Sequence, residues 1–346
     1  MSSVTASYPW TASPLIASAP MRLISGPPLA YEVSSAGGFG FLAAGVDVSG
    51  LAQNLADFKS LLAAAPIPSS KPDILPVGVG FILWGADLSL TVKVLSKPGN
   101  APAAVWLFAP ESPAQLKSWA EGIRKATNGK TKIWVQISSV ADATEAVAVA
   151  GADLLVIQGA DAGGHGRYKS AGLISLVPEV IDTVTAYCSE NGLQVPGFIA
   201  AGGIADSRGV NAVVALGAHG AAMGSRYLAS SEANIAKGYQ DAVLRASDGG
   251  VSTTRTDVYD KLRGTTGWPK GYGGRGVTNK SYEDALSGVA FEENQKAYKT
   301  AEAMGNTGWE GAGARMTTYV GTGVGLVKSV IGAKEITRSA RGESKV

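Results

Sequence analysis

The chain has 346 residues, 45% of them hydrophobic, enough for a large core and too many for wholesale disorder. A formal net charge of +2, with Lys and Arg scattered, leaves no basic footprint for nucleic acid or an anionic membrane. The single cysteine, Cys188, excludes an internal disulfide and a cysteine-built metal site, and two histidines are too few for a histidine-rich one.

The opening, Met1 to Trp10, has no basic stretch followed by an apolar one, so no secretory leader is expected. No window of about 18 uninterrupted apolar residues occurs, so no membrane span is expected. Free-cysteine usage points to a reducing, cytoplasmic setting. Apolar runs then recur at 14–21, 38–44, 75–83, 103–109, 132–138, 152–159, 197–204 and 221–229. They are continuous rather than alternating, as in strands of a parallel sheet buried on both faces.

Between the runs lie helix-like stretches. Residues 48–65 carry Leu51, Leu55, Phe58, Leu61 and Leu62 at helical spacing. Residues 112–127 open on Ser112-Pro113, a cap followed by a first-turn proline. Residues 140–150 and 173–191 stop at Gly151 and Gly192, and 206–216 runs from the acidic cap Asp206 to Gly217. Cys188, late in one of these helices, reads as incidental. The connection 27–35 reads as a short link. Eight strand–helix repeats predict an α/β fold, a (β/α)8 TIM barrel, with an open doubly wound sheet as the runner-up.

Beyond residue 250 the alternation stops. The expected organisation is a barrel over 1–250, a small helical and loop subdomain over the active site at 251–312, and a segment, 313–346, returning to the barrel. Residues 251–278 read as irregular and 281–304 as a polar helix. Residues 319–326 form an apolar glycine run, followed by a last helix and a charged tail.

Barrel sites sit where strands end. The sixth run ends Gln158-Gly159-Ala160-Asp161-Ala162-Gly163-Gly164-His165. Gly163 and Gly164 let backbone approach a flat or anionic ligand, and Gln158 can donate and accept at a heteroaromatic edge. His165 stands among glycines and titrates near neutrality, which suits proton transfer; the bland alternative is a histidine that completes a turn. His219, in the turn entering the eighth strand, is at the wrong end of the barrel and reads as structural. Gly202 and Gly203 after the seventh run, and Gly224 and Ser225 after the eighth, lie where this fold commonly grips a phosphate through peptide N–H groups; alone, each also suits tight packing. Arg226 either adds charge to that phosphate or pairs with an acid. Tyr319 either closes the pocket or packs.

Taken together, Gln-Gly-x-x-Ala-Gly-Gly-His at 158–165, Ala-Ala-Gly-Gly-Ile-Ala-Asp at 200–206 and Met-Gly-Ser-Arg at 223–226 resemble the nitronate monooxygenases, formerly 2-nitropropane dioxygenases. Ala19-Pro20-Met21, Ser35 to Gly40, Asp257-Val258-Tyr259-Asp260, Trp268-Pro269 and the glycines 321–325 are similar to that family's other landmarks. The resemblance implies bound FMN, with Ala19, Pro20 and Met21 along the isoalloxazine and Gln158 against it. Gly163, Gly203, Ala222, Met223, Gly224 and Ser225 would hold ribityl and phosphate, with Gly164 and Gly202 beside them, and His165 matches the active-site histidine. It further implies a small-molecule nitronate and O2 as partners, no metal, and a monomer or homodimer. One departure is visible. The family has asparagine where Gly80 ends Pro76-Val77-Gly78-Val79-Gly80, and Phe81, Ile82, Leu83 and Trp84 follow. The alternatives are a related flavin barrel that reduces enoyl thioesters with NAD(P)H, a specialised biosynthetic oxidase, and a flavin-free barrel that binds a phosphorylated ligand.

Overall fold

The computed structural model describes residues 3–344. Residues 1, 2, 345 and 346, where the leader reading begins and the charged tail ends, lie outside them. Eleven strands are present among the described residues: β1 (Leu15–Ser18), β2 (Phe41–Gly45), β3 (Leu75–Ile82), β4 (Pro102–Phe108), β5 (Lys132–Ile137), β6 (Leu154–Gln158), β7 (Gly164–Arg167), β8 (Gly197–Ala201), β9 (Gly220–Met223), β10 (Thr253–Thr256) and β11 (Tyr272–Val277).

Eight of them form one all-parallel sheet, in the order β1-β9-β8-β6-β5-β4-β3-β2. A parallel bridge from Ala17 to Phe39, just ahead of β2, joins its two ends. Phe39 donates its N–H to Ile16 and accepts from Ser18, and the Ser18 hydroxyl accepts from the N–H of Phe41. The sheet is therefore a TIM barrel. Each of the eight apolar runs overlaps one of these strands, because side chains on both faces must be apolar when helices cover the outside. β6 and β9 are buried at every position.

The helices follow the caps in the sequence. Pro113–Ala126 starts behind Ser112, whose hydroxyl accepts from the N–H of Gln115. Val140–Ala150 ends where Gly151 turns left-handed. At the bottom of the barrel an aromatic cluster fills the interior. Phe39, Phe41 and Trp134 pack with ring centres 4.7–5.1 Å apart, and the Trp134 indole donates to the Tyr8 hydroxyl at 2.7 Å.

The structure differs from the expectation in several places. The link 27–35 is a helix, Pro27–Ser35, and a further helix, Leu88–Leu95, separates β3 from β4. The eighth run overshoots its strand, since Ser225–Leu228 is one helical turn. The polar stretch 281–304 is two helices, Lys280–Leu286 and Phe291–Ala303. Residues 251–278, read as irregular, contribute β10 and β11 to a second, antiparallel sheet ordered β10-β11-β7. Its strands are short and rich in Gly, Arg and Thr, and their partners are distant in sequence, so no periodic pattern marks them. This sheet forms a cap over the mouth of the barrel.

Candidate active site

A cavity of about 450 Å³ opens between the barrel mouth and the cap. Ala19, Pro20 and Met21 line it after β1, Gly80 on β3, Gln158 at the end of β6, and Gly163, Gly164 and His165 beyond. Ala201, Gly202 and Gly203 follow from β8, and Ala222, Gly224 and Ser225 from β9. Of the thirteen residues singled out in the sequence, twelve thus share one cavity. Met223 does not line it: its side chain is buried in the core, and its carbonyl accepts from the N–H of Ala19 at 2.9 Å, which ties the two loops together.

The β1 loop is fixed by one hydroxyl. Ser25 donates to the carbonyl of Ala19 and accepts from the N–H of Met21. In the loops after β8 and β9, the N–H groups of Gly202, Gly203 and Gly224 meet no acceptor among the described residues. Gly202 and Gly203 have φ of 120° and 72°, a path that side chains resist. The Ser225 hydroxyl accepts from the N–H of Gly321, so the 319–326 segment is fastened to this loop. Gly163 lies so close that a Cβ there would stand 2.3 Å from the Gly321 nitrogen.

His165 is on β7, paired with Gly274 of β11. The turn reading is thereby corrected: the histidine is a strand residue, held in the cap rather than in a barrel loop. Its imidazole stacks on the Trp268 indole, with centres 3.7 Å apart and planes 8° from parallel. Its Nε2 lies 2.8 Å from Asp260 Oδ2 and 3.0 Å from Oδ1. Asp260 is 4% exposed. Its Oδ1 also accepts from the hydroxyls of Thr265 at 2.9 Å and Tyr319 at 3.2 Å. Burial, and then the neighbouring Asp260 charge, push the Tyr319 phenol up, so it stays protonated and donates.

Gln158 faces the cavity, but its amide is engaged inside the protein. Its Nε2 donates to the carbonyl of His165 and its Oε1 accepts from Ser138. Arg255, on β10, donates to the carbonyls of Ala162, Gly164 and Gly273, and so clamps the glycine loop to the cap. Burial, and then the Arg275 charge, hold its guanidinium below the ordinary arginine value.

Two arginines, Arg22 and Arg263, line the cavity, and no carboxylate does. Arg263 sits over the Tyr319 ring at 5.8 Å. Ile82, Trp84, Phe108 and Trp268 add an apolar part to the lining. Tyr319 thus both lines the cavity and packs. Arg226 does not line the cavity: it is buried, donates to the carbonyl of Ser329 and feels the charge of Glu335. His219 accepts from the N–H of Phe198 outside the cavity, and Cys188 is buried against the carbonyl of Gln194. Thr265, Arg22 and Arg263 were not singled out from the sequence, and Asp260 entered only as the last residue of a family landmark, with no role given to it. A further signal is that Asp260 falls between Tyr259 and Leu262, both buried, on a face where an acid requires a partner.

Comparison with known proteins agrees with this geometry. A family model described as nitronate monooxygenase matches residues 115–340. The chain is 46% identical over 343 residues to a nitronate monooxygenase of Metarhizium robertsii, covering 98% of this chain and 93% of that one. It is 37% identical over 361 residues to a nitronate monooxygenase of Neurospora crassa, covering 98% and 91%. Among solved structures, FabK from Thermotoga maritima superposes with a TM-score of 0.71 at 26% identity, over 98% of this chain and 94% of that one. A nitroalkane oxidase from Streptomyces ansochromogenes, at 22% identity and a TM-score of 0.70 over 99% and 97%, shares the fold. Near-full-length identity to these relatives, together with the family match, means that the chain belongs to the nitronate monooxygenase family, flavin-dependent monooxygenases on a TIM barrel.

Proposed function

We propose that this protein binds FMN at the barrel mouth and oxidises an alkyl nitronate with O2 to a carbonyl compound and nitrite. The observation that carries the reading is a single immobilised imidazole in a cavity that holds two arginines and no carboxylate. That charge balance favours an anionic substrate, and a nitronate is the anion of a nitroalkane.

The residues fit the cofactor. The unpaired N–H groups of Gly202, Gly203 and Gly224 suit a phosphate, in the position where this fold commonly holds one. Ala222, Gly163, Gly164 and Ser225, which line the same cavity, would border the ribityl chain, and Ala19, Pro20 and Met21 would offer the ring a nearly apolar shelf. Gln158 would act on the ring through its carbon stem and by holding the His165 carbonyl, because its amide is engaged elsewhere. When bound, the flavin supplies the electron transfer; the protein supplies position and charge.

His165 has two uses that need opposite protonation states. Protonated, it donates to the nitronate oxygens; neutral, it takes the α-proton of a nitroalkane. The test starts with a spectrum: the purified protein is expected to be yellow and to consume O2 with a nitronate. A colourless preparation that FMN does not reconstitute would sink the proposal. The variant His165→Asn is expected to lose nitroalkane turnover by about 10²–10⁴-fold and to keep more of its nitronate turnover. Equal loss of both argues against the base. Rapid bleaching by NADH or NADPH without O2 would favour the enoyl-thioester reductase instead.

A further inference from the structure

The geometry points to Asp260 as the positioning residue that decides which imidazole nitrogen of His165 meets the substrate; this rests on the reading of His165 given above. We infer that Asp260 holds the proton on Nε2, so that Nδ1 is the nitrogen that works.

The argument is one of donors and acceptors. Asp260 Oδ1 accepts from Thr265 and Tyr319, and both oxygens lie within 3.0 Å of His165 Nε2. A buried carboxylate surrounded by donors has no proton to give, so Nε2 must carry one; a lone pair there would face two oxygens. Nε2 also lies against β11, where a Cβ on Gly274 would stand 3.3 Å from it. Asp260 itself does not line the cavity, whereas His165 does. Nδ1 has no protein partner among the described residues, and in the neutral imidazole it holds the lone pair. Trp268, stacked on the ring face at 3.7 Å, fixes the plane of the ring, and the Asp260 bond fixes which edge faces it.

Replacing Asp260 by asparagine reverses this order. Oδ1 keeps its two hydroxyl donors, so the side-chain oxygen stays there. The amide NH2 then takes the Oδ2 place, 2.8 Å from Nε2, and donates to it. Nε2 becomes the acceptor and Nδ1 gains the proton, which leaves no base in the cavity and one donor.

The experiment uses the whole protein labelled with 15N-histidine, at a pH about two units above the ordinary histidine value of ~6.5. With only two histidines, His219→Gln assigns the spectrum. The wild type is expected to show His165 protonated on Nε2, and Asp260→Asn to show it protonated on Nδ1. Nitroalkane turnover in Asp260→Asn should fall by up to about 10⁴-fold, the size of an Asp→Asn tautomer trap in Ser-His-Asp enzymes, while nitronate turnover falls far less. A wild-type spectrum with the proton on Nδ1, or an Asp260→Asn spectrum unchanged from wild type, overturns the inference. Should the variant not fold, the wild-type spectrum alone still decides. A correct tautomer in a protein that turns over no nitroalkane supports Asp260 as the orienting group and removes instead the base role proposed for His165.

Discussion

A methyl group built on Gly80 would stand 2.3 Å from Cβ and 2.4 Å from Cγ of Pro20. The space that a side chain at position 80 would need is here filled by the proline ring. Gly80→Asn is expected to push Pro20 out of the shelf, to destabilise the protein by about 1–3 kcal/mol, and to weaken flavin retention. Thermal melting with and without added FMN measures both; a variant as stable as wild type would show that Pro20 yields freely. That the glycines and His165 share one cavity was legible in the sequence, because bare backbone and an isolated imidazole at strand ends leave few other places for them. Asp260 was visible only as part of a landmark, and its pairing with His165 was not. It lies 95 positions from His165, and an acid on a half-buried helix has no local mark of its partner. Met223 and Arg226 misled for a related reason: a motif position says which loop a residue is in, not which way its side chain turns.

At the scale of elements, the barrel and the cap meet through a few side chains. Arg255 is the clearest, donating to three carbonyls on the glycine loop, β7 and β11. Arg255→Ala leaves those carbonyls without their charged donor. It is expected to cost roughly 2–4 kcal/mol in a denaturant titration, at about 1.5–3 kcal/mol for each bond to a charged group and less than additively. Because β7 carries His165, nitronate turnover should fall about tenfold as the imidazole loses its placement. Arg255→Lys should recover little of this, since one ammonium does not span three acceptors. Unchanged stability would mean that water replaces the guanidinium. Among the elements, the eight barrel strands were legible as continuous apolar runs. β10 and β11 escaped because Thr-Thr-Arg-Thr and Tyr-Gly-Gly-Arg-Gly-Val lack both alternation and a continuous apolar face.

For the molecule as a whole, the barrel is stabilised by apolar burial and the outer layer depends more on charge. Asp284, on Lys280–Leu286, pairs with Lys280 and with Arg315 beyond the following helix. Hydrogen bonds from these two partners hold its carboxyl below the usual range. A depressed folded value means stabilisation that is complete above the unfolded carboxylate value of ~3.9 and is lost as the pH falls through the folded value. Acid should therefore loosen residues 280–316 ahead of the barrel, and Asp284→Asn should flatten that part of the acid transition. Hydrogen exchange between pH ~5 and ~3 follows this segment by segment; simultaneous loss of protection in β5 and in Lys280–Leu286 would contradict it.

The imidazole and the glycines proposed for the phosphate belong to different layers. His165 answers to β11 and Asp260, whereas Gly202, Gly203 and Gly224 answer to β8 and β9. Reactivity and cofactor grip can therefore drift apart under selection. Exchanging residues of the upper sheet would retune which molecule is attacked while the prosthetic group stays seated, and a lineage can change its chemistry without relearning how to hold its dye.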